Sequence, residues 1–311
     1  MPAATQGARL DIFLQQILNG LVLGSVYALV ALGYTMVYGI LGLINFAHGE
    51  VLMVGAMVGL SAVLGLQQVA PALPGVLLLL AALAVAVPAC MALSVFIERV
   101  AYRPLRNAPR LAPLITAIGV SILLQTLAMI IWQPNPRVFP DLLPTTPIEL
   151  GGVFLAPKQA LILAVATLMM GGLMLLVNRT KLGRAMRATA ENPRIAGLMG
   201  VNANRVIAAT FMIGAALAAV AGVLVAMNYN IAQFSMGFIP GLKAFTAAVL
   251  GGIGNLRGAL VGGLVLGVAE NWGSAIIGTQ WKDVVAFVLL VVILLFRPTG
   301  LLGESLGKAR V

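Results

Sequence analysis

Apolar runs with at most one charged residue apiece recur along nearly the whole of this chain, and most are about the 20 residues that a helix rising 1.5 Å per residue needs to cross the hydrocarbon of a bilayer. They fall near residues 10–38, 46–66, 75–97, 112–132, 158–178, 206–227, 241–255, 258–279 and 284–297. The seventh is short and the ninth marginal, so the expectation is an all-α, polytopic transmembrane helical bundle with about eight to ten membrane segments, some broken or re-entrant. One polytopic transmembrane domain over residues 1–311 is the economical organisation.

Composition leads the same way. Of 311 residues, 61% are apolar and 9% charged, too few polar groups to give a soluble globule of this size a wettable surface. The formal charge of +10 does not read as a nucleic-acid footprint, because Lys and Arg gather in short segments between apolar runs. Cys90 is alone, which leaves neither a disulfide framework nor a Cys/His metal cluster. Residues 1–9 lack the basic start and cleavage site of a signal peptide, so the first span is expected to stay in the mature chain.

Orientation follows from loop charge, since Lys and Arg flanking spans are retained on the cytoplasmic side. Residues 98–111 hold Arg99, Arg103, Arg106 and Arg110 against Glu98, and residues 179–205 hold Arg179, Lys181, Arg184, Arg187, Arg194 and Arg205 against Glu191. Both are expected to face the cytoplasm. Segment 133–157 carries Pro134, Pro136, Pro140, Pro144, Pro147 and Pro157 with balanced charge, and reads as a stiff external loop with a small hairpin over Ile148 to Leu155 turning at Gly151-Gly152. Counting back places the N-terminus outside and the tail after Arg297-Pro298 inside.

Glycines recur at close-packing spacing in Gly20/Gly24, Gly55/Gly59, Gly258/Gly262 and Gly263/Gly267, a pattern that lets helix backbones approach in lipid and that also arises by chance in a Gly-rich membrane chain. Two places interrupt apolar runs with Gly, Asn and a charge: Gly42 to Glu50, containing Asn45 and His48, and Gly251 to Gly258, containing Asn255 and Arg257. Broken helices are the best sequence pointer to a transport site, because unwound backbone at depth is tolerated only against protein or a watery cavity. Asn45, His48, Glu50 and Asn255 are therefore the candidate pathway residues. For His48 and Glu50 the plain alternative is that they cap a helix start. Glu270 either pairs with a Lys or Arg of another span or, beside Trp272, anchors an interface.

Chemistry of other kinds is absent from the sequence. One His, one Cys and nine carboxylates scattered over the chain form no acid, base, nucleophile or metal constellation. The tail Gly303 to Ala309 is one residue short of a phosphate-binding loop, and Ala309 stands where a hydroxyl residue is required, so the chain is not expected to hydrolyse ATP. Arg184 to Met199 reads as a short amphipathic helix under the membrane, punctuated by Pro193. It serves either as a docking helix for a cytoplasmic protein or as an ordinary basic loop on anionic lipid.

Four separated segments resemble the LivH-type permeases of branched-chain amino acid ABC importers, over about residues 15–303. They are Asn19 to Leu29 running into Tyr34 to Gly39 and Ile44 to Glu50; Arg187 to Asn202; Phe238 to Asn255; and Leu295 to Gly303. The second is similar to the family's coupling loop, although Thr189-Ala190-Glu191 departs from its general Glu-Ala-Ala pattern. The resemblance implies that Arg187, Glu191, Asn192, Pro193 and Gly197 meet ATPase subunits. It further implies a complex in a bacterial inner membrane: a second, LivM-like permease or a second copy, two cytoplasmic ATPases that hydrolyse the ATP, and an extracytoplasmic solute-binding protein. The substrate implied is a branched-chain amino acid or a related small polar solute such as an amide, carried by alternating access, with no cofactor on this chain. Outside that family, an ion-coupled secondary transporter using His48, Glu50 or Glu270, or a structural membrane subunit, are the rival readings.

Overall fold

Backbone polar groups in hydrocarbon have no water to bond to, so apolar runs of this length satisfy them internally as helices. The computed structural model describes residues 2–106, 108–109, 111–150 and 152–303, with side chains from residue 11 onward except that of Leu150. Arg110, Gly151 and the tail segment 304–309 lie outside the described residues.

The elements in order are α1 (Pro2–Leu41), α2 (His48–Val69), α3 (Gly75–Ile97), α4 (Leu111–Trp132), β1 (Arg137–Val138), β2 (Ile148–Leu150), β3 (Val153–Leu155), α5 (Pro157–Arg179), α6 (Lys181–Glu191), α7 (Pro193–Leu198), α8 (Ala203–Tyr229), β4 (Ile231–Ala232), α9 (Phe238–Gly251), α10 (Leu256–Ile277) and α11 (Lys282–Phe296). Eight helical stretches among the described residues are long and apolar enough to span a membrane, and α9 is a shorter ninth. The chain is an all-α polytopic bundle. The marginal last run reaches spanning length because a 3₁₀ turn over Thr279–Trp281 leads directly into α11.

Burial sorts these helices into a centre and a rim. The most apolar window of α1 is 94% buried and that of α8 72%, whereas that of α11 is 6% buried. Outward-facing Leu80 and Val85 on α3, Ile115 and Ile130 on α4, Leu168 on α5 and Val291 on α11 are exposed apolar side chains suited to lipid.

Glycine sets the tightness of the centre. A methyl at Gly24 would lie 2.8 Å from the Gly263 carbonyl oxygen, one at Gly267 would lie 2.3 Å from the Gly24 Cα, and one at Gly55 would lie 2.6 Å from the Ala219 Cα. Each of the eight glycines in the four spaced pairs meets another helix at such range. The gain is dispersion between backbones, the force that remains when lipid is as apolar as the side chains.

Two groups of loops mark the two ends. At one end, Arg106 reaches Asn204 at 2.5 Å, so the two basic loops lie together. The expected loop 98–111 is partly helical: α3 continues through a π turn over Glu98–Tyr102 and a 3₁₀ turn over Arg103–Leu105. The cause is a buried Glu98 carboxylate gripped by Arg103 at 2.9 Å and by Arg106, while Tyr102 is folded inward. At the same end the chain's tail closes α9, with Leu301 N–H donating to the Leu250 carbonyl at 2.8 Å and Leu302 N–H to the Gly251 carbonyl at 2.9 Å.

At the opposite end the proline-rich segment is pinned by antiparallel pairing of β1 with β4. The expected hairpin forms as β2 paired with β3, and Gln15 of α1 bonds both the N–H (2.8 Å) and the carbonyl (3.0 Å) of Phe154. The start of α1 therefore shares an end with the 133–157 loop, as the count of spans requires.

Candidate functional site

The first break, residues 42–47, turns back from the foot of α1 into the bundle before α2 starts at His48. The depth of that return is set by Gly33, eight residues above the end of α1: a Cβ there would fall 2.2 Å from His48 Nε2. His48 is buried, its ring edge-on to Tyr34 at 4.9 Å. Asn45 is buried too, and its Oδ1 accepts from the Tyr102 hydroxyl at 2.7 Å. Glu50 stands in the first turn of α2, where the unpaired amide dipoles of a helix start favour an anion.

A second break faces the first. After β4 the chain runs inward without regular structure and begins α9 at Phe238. Gly237 and Gly241 then lie against Gly49: a Cβ on Gly49 would be 2.7 Å from the Gly237 carbonyl oxygen and 3.0 Å from the Gly241 Cα. The starts of α2 and α9 therefore meet around Glu50. The Glu50 carboxylate accepts from Ser121 Oγ at 3.1 Å and from Gln125 Nε2 at 2.8 Å, both on α4.

Between α4 and this junction lies a cleft of about 330 Å³, with Glu50, Ser121 and Gln125 as its polar groups and Tyr34, Phe46, Ile118, Ile122, Phe238 and Leu242 among its apolar walls. A hollow of similar size between α10 and α11 is lined by Val285, Val288, Leu289 and Val292 with almost no polar surface. Only the former combines apolar walls with a few convergent polar groups, the usual make-up of a small-molecule site.

Asn255 sits elsewhere. Its side chain accepts from the N–H groups of Arg257 (3.0 Å) and Gly258 (3.3 Å) and donates to the Leu302 carbonyl at 2.7 Å. It caps α10 and ties down the tail, so the structure brings Asn45, His48 and Glu50 together and leaves Asn255 at the basic end. Ser121 and Gln125 escaped the sequence reading, although two polar residues four apart in a mostly apolar run share one helix face and were a usable signal.

The basic end carries the other set of predicted residues. The single amphipathic helix expected over 184–199 is two helices: α6 begins earlier, capped by Thr180, and stops at Asn192, whose Oδ1 accepts from the N–H groups of Arg194 (3.0 Å) and Ile195 (3.1 Å) to start α7 with Pro193 at its first position. Proline lacks the N–H needed to continue α6 but suits a helix start, which explains the split. Gly183, Met186 and Thr189 face inward, and Arg187 donates to the Val177 carbonyl at the end of α5. Glu191, Asn192, Pro193 and Gly197 are exposed, as are the apolar side chains of Ile195, Leu198 and Met199.

Glu270 is paired: Lys243 donates to it at 2.7 Å. Among the described residues no group of three or more His, Cys, Asp or Glu is arranged to hold a metal ion.

The sequence profile of the family described as "Branched-chain amino acid transport system / permease component" matches residues 16–294. The chain belongs to this family. Similar proteins include the high-affinity branched-chain amino acid transport system permease protein BraD of Pseudomonas aeruginosa, 52% identical over 301 residues that cover 94% of this chain and 96% of the relative. The permease protein LivH of Escherichia coli is 48% identical over 296 residues, covering 94% and 96%. A probable LivH from Methanocaldococcus jannaschii is 28% identical over 309 residues, covering 96% of each chain. The permease is thus a transport subunit and a membrane protein, and the stretch matching the family profile contains both broken helices and the α6–α7 pair.

Proposed function

We propose that this permease is the membrane-embedded subunit of an ATP-driven importer in a bacterial inner membrane, and that its substrate is a branched-chain amino acid or a similar small polar solute. The observation that carries the reading is the junction of two discontinuous helices around Glu50, beside a cleft that is mostly apolar with three polar groups. Such junctions supply dipoles at depth without a full charge on every wall. An aliphatic zwitterion needs that mixture: apolar walls for its side chain and a few fixed polar groups for its ends.

The α6–α7 pair supports an ATPase contact. Arginines flank a split helix that exposes Ile195, Leu198 and Met199, and exposed apolar side chains beside a polar rim suit a protein partner. ATP is bound and hydrolysed by two such partners, not by this chain, and their closure rocks the bundle between outward-open and inward-open states. A second permease, LivM-like or a second copy, completes the membrane core, and an extracytoplasmic solute-binding protein delivers substrate at the end bearing β1 to β4. The exposure of Ile118 and Ile122 on α4, beside the cleft, supports a second permease packing against that side.

The test is uptake of labelled leucine by the complete complex reconstituted in vesicles with internal ATP. Leucine should accumulate in the presence of a proton uncoupler and stop when ATP is withheld. Uptake that follows the proton gradient and ignores ATP would replace this reading with that of a secondary transporter.

A further inference from the structure

Three carboxylates among the described residues are enclosed in the bundle: Glu50, Glu98 and Glu270. Two of them have cations. Arg103 and Arg106 hold Glu98, and Lys243 and Lys282 hold Glu270. Glu50 differs, because the side-chain groups that reach it are the neutral donors Ser121 and Gln125, both on the same oxygen.

Its second oxygen, Oε2, is buried without a hydrogen-bond partner among the described residues. That oxygen lies beside Gly237, where a side-chain carbon would come within 2.9 Å of it. The starts of α2 and α9 favour a negative charge at this point, and a buried carboxylate with an open acceptor and no counter-ion is costly unless a cation completes it. Glu50 lines the cleft between α4 and α9, so a widening of that cleft would bring a cation to it.

We propose that Glu50 recognises the ammonium group of the amino acid in transit, taking an N–H from it on Oε2 while Ile118 and Phe238 side the aliphatic part. The proposal rests on the cleft being the substrate path. It makes Glu50 a binding residue whose missing cation is the substrate's own, offered transiently, in contrast to the permanent cations on Glu98 and Glu270. The competing reading is a protonated carboxyl that serves only as a hydrogen-bonding wedge between α2 and α4.

Glu50→Gln separates the two, because an amide reproduces the shape and hydrogen bonds of a protonated acid but not its charge when ionised. In the reconstituted complex, Glu50→Gln should assemble with an unchanged melting temperature and lose leucine uptake about 10- to 100-fold, the scale of one charge-assisted hydrogen bond. The exchanged pair Glu50→Gln with Gln125→Glu returns a carboxylate to the same cleft and should recover most of the loss. Uptake by Glu50→Gln within about twofold of the unmodified complex, well below the loss expected of such a bond, overturns the proposal. Should the single variant fail to assemble, the exchanged pair decides alone, and an assembled exchanged pair without uptake overturns it too. If the unmodified complex itself moves no leucine, the reading of the substrate has failed; if it does and Glu50→Gln equals it, only the ammonium site has.

Discussion

Lys243 on α9 and Glu270 on α10 form an ion pair of 2.7 Å with side chains 5% and 0% exposed. Asp283, at the start of α11, takes the same Lys243 ammonium at 2.5 Å, Lys282 approaches Glu270 at 3.6 Å, and the Tyr27 hydroxyl of α1 donates to Glu270 at 3.3 Å. Four helices are therefore joined through one cluster of two cations and two anions. The half-length α9, which has too few turns to be held by lipid on both sides, gains its anchor there.

Removing one member should cost more than removing the pair. Lys243→Met leaves Glu270 inside the bundle facing only the more distant Lys282, and loss of one partner of a buried ion pair costs about 3–5 kcal/mol. Thermal unfolding in detergent should show the double variant Lys243→Met with Glu270→Leu to be more stable than Lys243→Met alone. A double variant at least as unstable as the sum of the single ones would deny the pairing any energetic role.

Glycine substitutions should divide by neighbour. Gly267→Val drives a side chain into the Gly24 backbone, 2.3 Å from where its first carbon would stand, and overpacking of this kind costs about 1–3 kcal/mol or more. Gly171 has open space around it, and Gly171→Ala should be neutral or raise stability by up to about 1 kcal/mol through helix propensity. Yield and melting temperature of the two variants, measured side by side, check the contrast.

The α6–α7 surface should be separable from the bundle. Nothing lies within 4 Å of a Cβ at Gly197, so a side chain there starts in open space and Gly197→Trp should act on whatever docks there. Leu198→Asp works through the same exposed surface, and Glu191→Lys reverses a charge on it. Each should abolish uptake while membrane insertion and melting temperature stay unchanged. Full uptake in Gly197→Trp would remove α7 from the ATPase contact.

Protease access should follow the two ends. Trypsin added outside intact, right-side-out cells should leave the chain uncut after Arg106 and Arg187, whereas inside-out vesicles expose both basic loops to it. Cleavage from the outside at either position would invert the orientation.

Much of this organisation was legible because it rests on local pattern. Span length fixed the helices, and the unwound stretch Asn45 to Glu50 stood out because a polar cluster inside an apolar run has few tolerable places in a membrane. The four glycine pairs, which chance could equally have produced, all proved to be helix contacts. What stayed hidden depends on which helices become neighbours. Asn255 carries the same kind of break as Asn45, yet it caps α10 at the basic end, and spacing alone does not report depth. Lys243 and Glu270 are 27 residues apart and Glu50 and Gln125 are 75 apart, so neither pairing has a sequence signature. The split of α6 from α7 was half visible, since Pro193 announced the boundary but the role of Asn192 as a cap needed the backbone geometry.

The tail bonded to the foot of α9 links two regions otherwise distant in the chain. Because Leu301 and Leu302 occupy the last carbonyls of α9 while Gly237 and Gly241 press its other extremity against the Glu50 turn, this half-helix works as a strut between the cleft and the basic face. A tilt of α9 that widens one must displace the other, giving anything that binds the basic face a rigid lever only 14 residues long with which to reach the middle of the membrane.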